Sequence, residues 1–202
     1  MKIFVATKNS HKLSELERIL IPMGFEVISE RDLDTEFSDV EETGTTFKEN
    51  ALIKASAGCK NTGLITVADD SGLCVDALSG APGVYSARYS GVHGNDEENI
   101  KKLLFNLKDV KKPDRTARFV SAVACVFPSG KNFVVEGTCE GYILDEKCGT
   151  NGFGYDPVFC SKLGPVGLLT AAQKDSISHR GNALKLFKKE LENFMKQEEN
   201  IC

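Results

Sequence analysis

The sequence has no apolar run long enough to cross a bilayer. Its longest uninterrupted apolar stretch is residues 122–127, whereas a spanning helix needs about 20 such residues. The N-terminal residues turn polar at Thr7. They carry neither the apolar region nor the small-residue cleavage site of an export signal, so a cytoplasmic location is expected. There is no CxxC pair. The seven cysteines, at positions 59, 74, 125, 139, 148, 160 and 202, follow no regular spacing. Reduced thiols are therefore expected, rather than a disulfide framework or a structural zinc site. An excess of positive charge is also missing: 25 Lys+Arg against 29 Asp+Glu leave a net charge of −4. Such a chain has no global attraction to nucleic acid or to an anionic membrane, so neither is expected as a partner. An anionic substrate would need a local cluster of basic residues. Internal repeats, low-complexity tracts and linkers are absent as well.

What is present is the composition of a globular protein, with 41% hydrophobic and 27% charged residues over 202 positions. That length suits one domain, or two lobes sharing one sheet. Residues 2–6 read as a short buried strand running into a polar cluster. A helix follows from about Ser10, with Leu13, Leu16, Ile19 and Leu20 on one face, ended by Pro22 and Gly24. Residues 26–29 can form a second strand, and strand–turn–helix–strand indicates an α/β fold. Residues 30–44 are acidic and irregular. Thr46 and Glu49 have capping-box spacing and introduce a helix over about 47–60, with Gly63 as its C-cap. Residues 64–68 read as a buried strand ending at Asp69-Asp70-Ser71-Gly72, with 73–78 extended again. Asn95 caps a third helix whose core face is Ile100, Leu103, Leu104 and Leu107. Residues 117–127 and 132–141 form a hairpin, which predicts a mixed sheet. Residues 149–157 read as a glycine-aromatic loop. A last helix is expected from near Gly181, with Leu184, Phe187, Leu191 and Phe194 as its buried stripe.

Four polar segments interrupt this pattern at strand or helix ends, where α/β sheets bind ligands. The first is Thr7, Lys8, Asn9, Ser10, His11 and Lys12, between a strand and a helix N-terminus. Free N–H groups and the helix dipole attract phosphate there, although the segment lacks the glycines of a P-loop. It reads equally as a polar N-cap with exposed lysines. The second and third are the acid pairs Glu41-Glu42 and Asp69-Asp70. Mg²⁺ with a nucleotide uses one or two protein carboxylates. Adjacent strand residues face opposite ways, so Asp69 and Asp70 should have different tasks. A plain Asx-turn over 69–72 is the alternative. The fourth is Phe153, Gly154, Tyr155, Asp156 and Pro157, followed by Lys174 and by Ser178, His179 and Arg180. An aromatic ring can stack on a base, Asp156 can accept from ring N–H groups, and Arg180 can donate to a carbonyl. The bland alternatives are core packing for the aromatics and a helix start with solvated charges for His179 and Arg180.

Taken in order, these blocks resemble the inosine triphosphate pyrophosphatase family. They are Ala6-Thr7-x-Asn9-x-x-Lys12 with Glu15, Glu41-Glu42-Thr43-Gly44 with Phe47, Asn50-Ala51 and Lys54-Ala55, Ala68-Asp69-Asp70-Ser71-Gly72-Leu73, Gly83-x-Tyr85-Ser86-Ala87-Arg88-Tyr89, Gly152-Phe153-Gly154-Tyr155-Asp156-Pro157 and Ile177-Ser178-His179-Arg180. They span nearly the whole chain. The resemblance implies a single α/β domain over residues 1–202, with a long twisted mixed sheet flanked by helices and two lobes around a central cleft. It implies a homodimer and Mg²⁺-dependent hydrolysis of ITP, dITP and XTP to the nucleoside monophosphate and pyrophosphate.

By position, the resemblance makes Thr7 to Lys12 the triphosphate binders, with Lys54 a further phosphate contact. Asp70 becomes the proton acceptor, Glu41 and Asp70 the metal ligands, and Ser71 a substrate contact. Phe153, Gly154, Tyr155, Asp156, Lys174, His179 and Arg180 complete the nucleotide site. Spacing alone leaves Glu41 and Glu42 open as ligands. The chain departs from the family pattern at Lys8 and His11, where smaller residues are common, and at Ala172-Gln173, where an acid is common. Two rival functions are a pyrophosphatase for other modified nucleotides and a non-catalytic nucleotide- or RNA-binding module. The acidic charge balance counts against RNA, and the module leaves the acid pairs without a purpose.

Overall fold

The structure, a computed structural model, describes residues 1–33 and 40–199. The irregular acidic stretch at 30–44 thus lies partly outside the described residues, as does Cys202. The strands are β1 (Lys2–Val5), β2 (Glu26–Ile28), β3 (Ile65–Val75), β4 (Thr116–Val126), β5 (Asn132–Ile143), β6 (Phe159–Ser161) and β7 (Gly164–Pro165). They form one seven-stranded sheet in the order β2-β1-β3-β4-β5-β6-β7. β1 runs parallel to β2, with Ile3 opposite Val27, and parallel to β3, with Ile3 opposite Ile65. β5, β6 and β7 pair antiparallel. The sheet is mixed, as the hairpin predicts. The helices are α1 (Ser10–Leu20), α2 (Phe47–Thr62), α3 (Asp96–Asn106), α4 (Ala171–Ile177) and α5 (His179–Glu199).

The chain divides into two compact units. The first comprises Met1–Asp70, Ala122–Glu136 and Ala183–Cys202. Its core joins Ile3, Val5 and Val67 of the strands to Leu16 and Leu20 of α1 and to Phe187 and Leu191 of α5. Ile3, Phe4 and Val5 are all fully buried, as expected of a strand covered on both faces. α1 begins where the Asn9 side chain accepts the Lys12 N–H at 3.2 Å. It ends through a 3₁₀ turn at Pro22 and the left-handed Gly24. The Thr46–Glu49 capping box is formed, with Glu49 N–H donating to Thr46 Oγ1 and the Glu49 carboxylate accepting the Thr46 N–H. α2 buries small residues, Ala51, Ala55 and Gly58, so it lies close against the sheet. A Cβ on Gly58 would stand 2.7 Å from Thr66 Cγ2.

The second unit comprises Ser71–Ser121 and Gly137–Asn182. Its core contains Leu73, Val75, Ile100, Leu103, Leu107, Ile143, Tyr155, Phe159 and Ile177. Leu104, expected on the buried face of α3, is only partly buried. The buried Arg115 guanidinium donates to the carbonyls of Leu107, Val110 and Leu144, tying the end of α3 to the end of β5.

Three expectations are corrected. Asp69-Asp70-Ser71-Gly72 is neither a strand end nor an Asx-turn, because β3 runs straight through it. Residues 76–78 form a 3₁₀ turn rather than strand. The last helix starts at His179, with the Ser178 hydroxyl accepting the Gly181 N–H at 3.0 Å. α4, with its own Thr170–Gln173 capping box, and the short β6 and β7 have no counterpart in the sequence pattern. Their apolar residues are too few for a period to show. The six described cysteines form no disulfide with one another, and burial pushes the thiols of Cys59, Cys125 and Cys139 up.

Candidate active site

In the first unit, β3 delivers Asp69 and Asp70 to different lysines. Alternation along the strand directs neighbouring side chains to opposite faces. Asp69 Oδ2 lies 2.9 Å from Lys12 Nζ of α1, with the Asp69 side chain only 3% exposed. Asp70 Oδ1 lies 3.6 Å from Lys54 Nζ of α2, and its Oδ2 accepts from the Asn50 amide at 3.1 Å. Lys54 also donates to Glu42 Oε1 at 2.8 Å. One ammonium therefore holds two carboxylates. Burial pushes the Asp70 carboxyl above the usual carboxylate range. Lys54 opposes this, Glu42 adds to it, and Asn50 and Lys12 oppose it. For Lys54, burial works against the charge, but Asp70, Asp69 and Glu42 outweigh it and raise the ammonium's pKa.

Of the two glutamates left open by spacing, the structure brings Glu42 into this group. Glu41 is exposed. Thr7, Lys8, Asn9 and Ser10 form the turn into α1, where Thr7 Oγ1 accepts the Asn9 N–H at 3.2 Å. Lys8, Asn9 and Ser10 are exposed and Lys12 is not, so the reading as a cap with exposed lysines holds for Lys8 alone. The side chain of His11 lies outside what is described.

In the second unit, the turn at Gly152–Pro157 splits its two aromatics. Phe153 presents its ring to solvent, 56% exposed, while Tyr155 is 5% exposed. The Tyr155 hydroxyl donates to the Ser86 carbonyl at 2.9 Å, so its ring belongs to the core and the packing alternative is correct for it. The Asp156 carboxylate accepts the Phe153 N–H at 2.9 Å and pairs with Lys174. Gly152 has a positive φ of 82°, and a Cβ there would stand 2.1 Å from Asp156 Oδ2, so glycine is required. The Lys174 ammonium lies 4.4 Å from the centre of the Phe153 ring. The Gly154 N–H donates to Asp96 of α3 at 2.7 Å.

Arg180 and His179 are buried, which overturns the reading of solvated charges. Arg180 donates to Ser71 Oγ at 3.2 Å, and His179 stacks on Phe119 with ring centres 5.0 Å apart. The unit therefore holds an exposed ring beside a carboxylate–ammonium pair and, on Ser71, a buried guanidinium. A ring with such a pair beside it suits a flat heteroaromatic ligand with polar edges.

The model of the Ham1 family matches residues 3–190 of this sequence. The chain belongs to the Ham1 family. A dITP/XTP pyrophosphatase of Bacillus licheniformis is 50% identical over 186 residues, covering 91% of this chain and 94% of that one. The Ham1 protein of Staphylococcus aureus superposes with a TM-score of 0.89 at 42% identity, covering 96% of this chain and 99% of that one. A Mycobacterium abscessus structure described as a nucleoside-triphosphatase and dITP/XTP pyrophosphatase gives a TM-score of 0.82 at 50% identity, covering 93% and 97%.

Two contacts in this Ham1-family chain have no counterpart in the sequence reading. Asp96 looks like an ordinary first-turn acid, and nothing in its position signals the Gly154 contact. Asn50 does leave a signal. It sits on the buried side of α2 with Phe47, Ala51 and Ala55, where an amide needs partners.

Proposed function

We propose that this chain is a nucleoside triphosphate pyrophosphohydrolase that cleaves dITP, ITP and XTP to the nucleoside monophosphate and pyrophosphate. The relatives' names support the substrate class. The observation that carries the chemistry is the convergence of Asp70, Glu42 and Lys54, next along β3 to the Asp69–Lys12 pair.

Phosphoryl transfer is catalysed mainly by positioning and charge neutralisation. Lys12 and Lys54 supply positive charge to the triphosphate. The N–H groups opening α1, at Thr7 to Lys12, add oriented donors. Water attacks the α-phosphorus. The new bond is P–O, the bond to the bridging α–β oxygen breaks, and pyrophosphate leaves with that electron pair. Asp70 takes the water's proton or orients the water.

The residues present fit Mg²⁺. This cation takes one or two carboxylates and completes its shell with water and phosphate oxygens. Glu42 and Asp70 already converge on one positive charge. No group of three or more candidate ligands occurs among the described residues; Glu42 and Asp70 would be the two carboxylates that hold the ion. Glu42 takes the ligand role assigned to Glu41 by position. When bound, the ion neutralises phosphate charge and eases the departure of pyrophosphate.

Phe153 stacks on the purine, and Asp156 and Lys174 address its edge or the sugar. Arg180, with His179 beside it, donates to the 6-oxo group that hypoxanthine and xanthine carry and adenine lacks. A mismatched buried polar group can discriminate by about 10⁴-fold. Arg180→Ala should narrow the ratio of kcat/KM for ITP over ATP. One common loss for all substrates would make Arg180 a phosphate ligand instead.

The deciding experiment supplies dITP, ITP, XTP, GTP and ATP with Mg²⁺, with and without EDTA, and resolves pyrophosphate from orthophosphate. Pyrophosphate from the first three, abolished by EDTA, is expected. Orthophosphate with nucleoside diphosphate refutes the reaction. By the same family reading the enzyme is a cytoplasmic homodimer. A monomer in sedimentation equilibrium, or export from the cell, removes the respective half of that reading.

A further inference from the structure

Asn50 is fully buried on α2, and its amide is used in both directions. Its Oδ1 accepts the Gly44 N–H at 2.8 Å. Its Nδ2 donates to Asp70 Oδ2 at 3.1 Å. One turn further along α2, on the same face, Lys54 reaches Asp70 Oδ1 at 3.6 Å and Glu42 Oε1 at 2.8 Å. These four contacts close a circuit. The loop contributes Glu42 and Gly44, two residues apart. The helix contributes Asn50 and Lys54, four residues apart. Asp70 joins them from the strand. Contact at the loop is tight, because a Cβ on Gly44 would stand 2.6 Å from Asn50 Oδ1.

We propose that Asn50 is a positioning residue that fixes the Asp70 carboxylate and the Glu42-bearing loop as one unit. The inference rests on the reading of Asp70 and Glu42 as the cation-binding carboxylates. Lys54 alone cannot do this work. It is a point charge on a flexible stem, and it leaves the rotation of each carboxylate free. The amide is directional. It holds one Asp70 oxygen and thereby orients the other, while its carbonyl sets the distance of the loop. Outer partners of this kind are typically worth 10–100-fold in cation affinity or activity.

Two variants separate positioning from packing. Asn50→Leu keeps much of the volume and removes both bonds. Asn50→Asp keeps an acceptor for Gly44 but replaces the donor with an acid facing Asp70. Three measurements are made on each: binding of Mn²⁺ alone, followed by the electron paramagnetic resonance of the free ion; kcat and KM for dITP; and the thermal midpoint. Both variants should bind Mn²⁺ about 10–100-fold more weakly, with a kcat loss of similar size and KM changed less than about threefold. If Asn50→Asp keeps wild-type Mn²⁺ binding and kcat, the amide only anchors the loop and the proposal fails. It fails equally if either variant loses thermal stability while its folded molecules bind Mn²⁺ and turn over normally. Should neither variant fold, Gly44→Ala presses on the same amide from the loop side and is judged by the same ratios. Mn²⁺ binding is read without substrate. A wild type that releases no pyrophosphate therefore refutes the proposed reaction without deciding the role of Asn50.

Discussion

Each unit of the chain contains a buried aspartate bonded to a lysine, and the two pairs are built differently. Asp156 takes its backbone partner from Phe153, three residues away, inside a turn that Gly152 makes sterically possible. Asp70 takes its amide partner from Asn50, 20 residues away, and its ammonium from Lys54, 16 residues away. Only the backbone half of the first is a local motif that a short peptide spacing can encode, since its ammonium comes from Lys174, 18 residues away. The second exists only when α2 packs on β3. The chemistry follows the construction. A turn presents an exposed ring beside a fixed carboxylate. A helix packed on a strand concentrates opposing charges, where burial raises the Asp70 pKa, and that suits phosphate and cation work.

The sharpest way to break this comparison is Asp70→Asn. Removing the charge should lower turnover by about 10²–10⁴-fold, as for a lost general base or cation-binding carboxylate, with the thermal midpoint nearly unchanged. Asp156→Asn, which keeps an acceptor for the Phe153 N–H, should raise KM more than it lowers kcat. Equal kcat losses in the two variants would erase the distinction between the units.

The next largest effect is on stability. Asp69→Asn leaves the Lys12 ammonium, 18% exposed, without its carboxylate. Breaking such a pair costs roughly 3 kcal/mol, the low end for a buried one because Lys12 keeps some solvent. A denaturant midpoint equal to that of the wild type would show that Lys12 is stabilised elsewhere. Phe153→Ala should cost about 1–3 kcal/mol of binding, the worth of one stacked base. All purine triphosphates should weaken alike. A loss confined to one base would make the ring a specificity element.

The smallest effect concerns the cap of α2. Bonds from the backbone and hydroxyl of Thr45 and from Thr46 outweigh burial and hold the Glu49 carboxyl below its ordinary value. A depressed folded pKa contributes stability that is present above the unfolded value, about 4.3. That stability is lost as pH falls through the folded pKa. Glu49→Gln should therefore be slightly less stable than the wild type at neutral pH, and the difference should shrink on acidification below about pH 4. A difference that grows with acid would reverse the sign and discard the cap as its source.

The sequence by itself determined several helix ends and the chemical inventory. Thr46 with Glu49, Asn9, Gly24 and Gly63 act within one helical turn, so their meaning survives without a fold. The family blocks likewise identify Asp70, Lys54, Phe153 and Arg180 by type and order. Tertiary structure alone decided how these residues are used. It carried β3 through 69–72, because strand pairing satisfies a backbone that a local Asx-turn would otherwise hold. It buried Tyr155 and exposed Phe153, although both are aromatics of one turn. It selected Glu42 over Glu41 as the partner of Lys54, and it gave Asn50 its two bonds. Each of these depends on atoms distant in sequence meeting within hydrogen-bond range. Local propensity carries no information about such meetings.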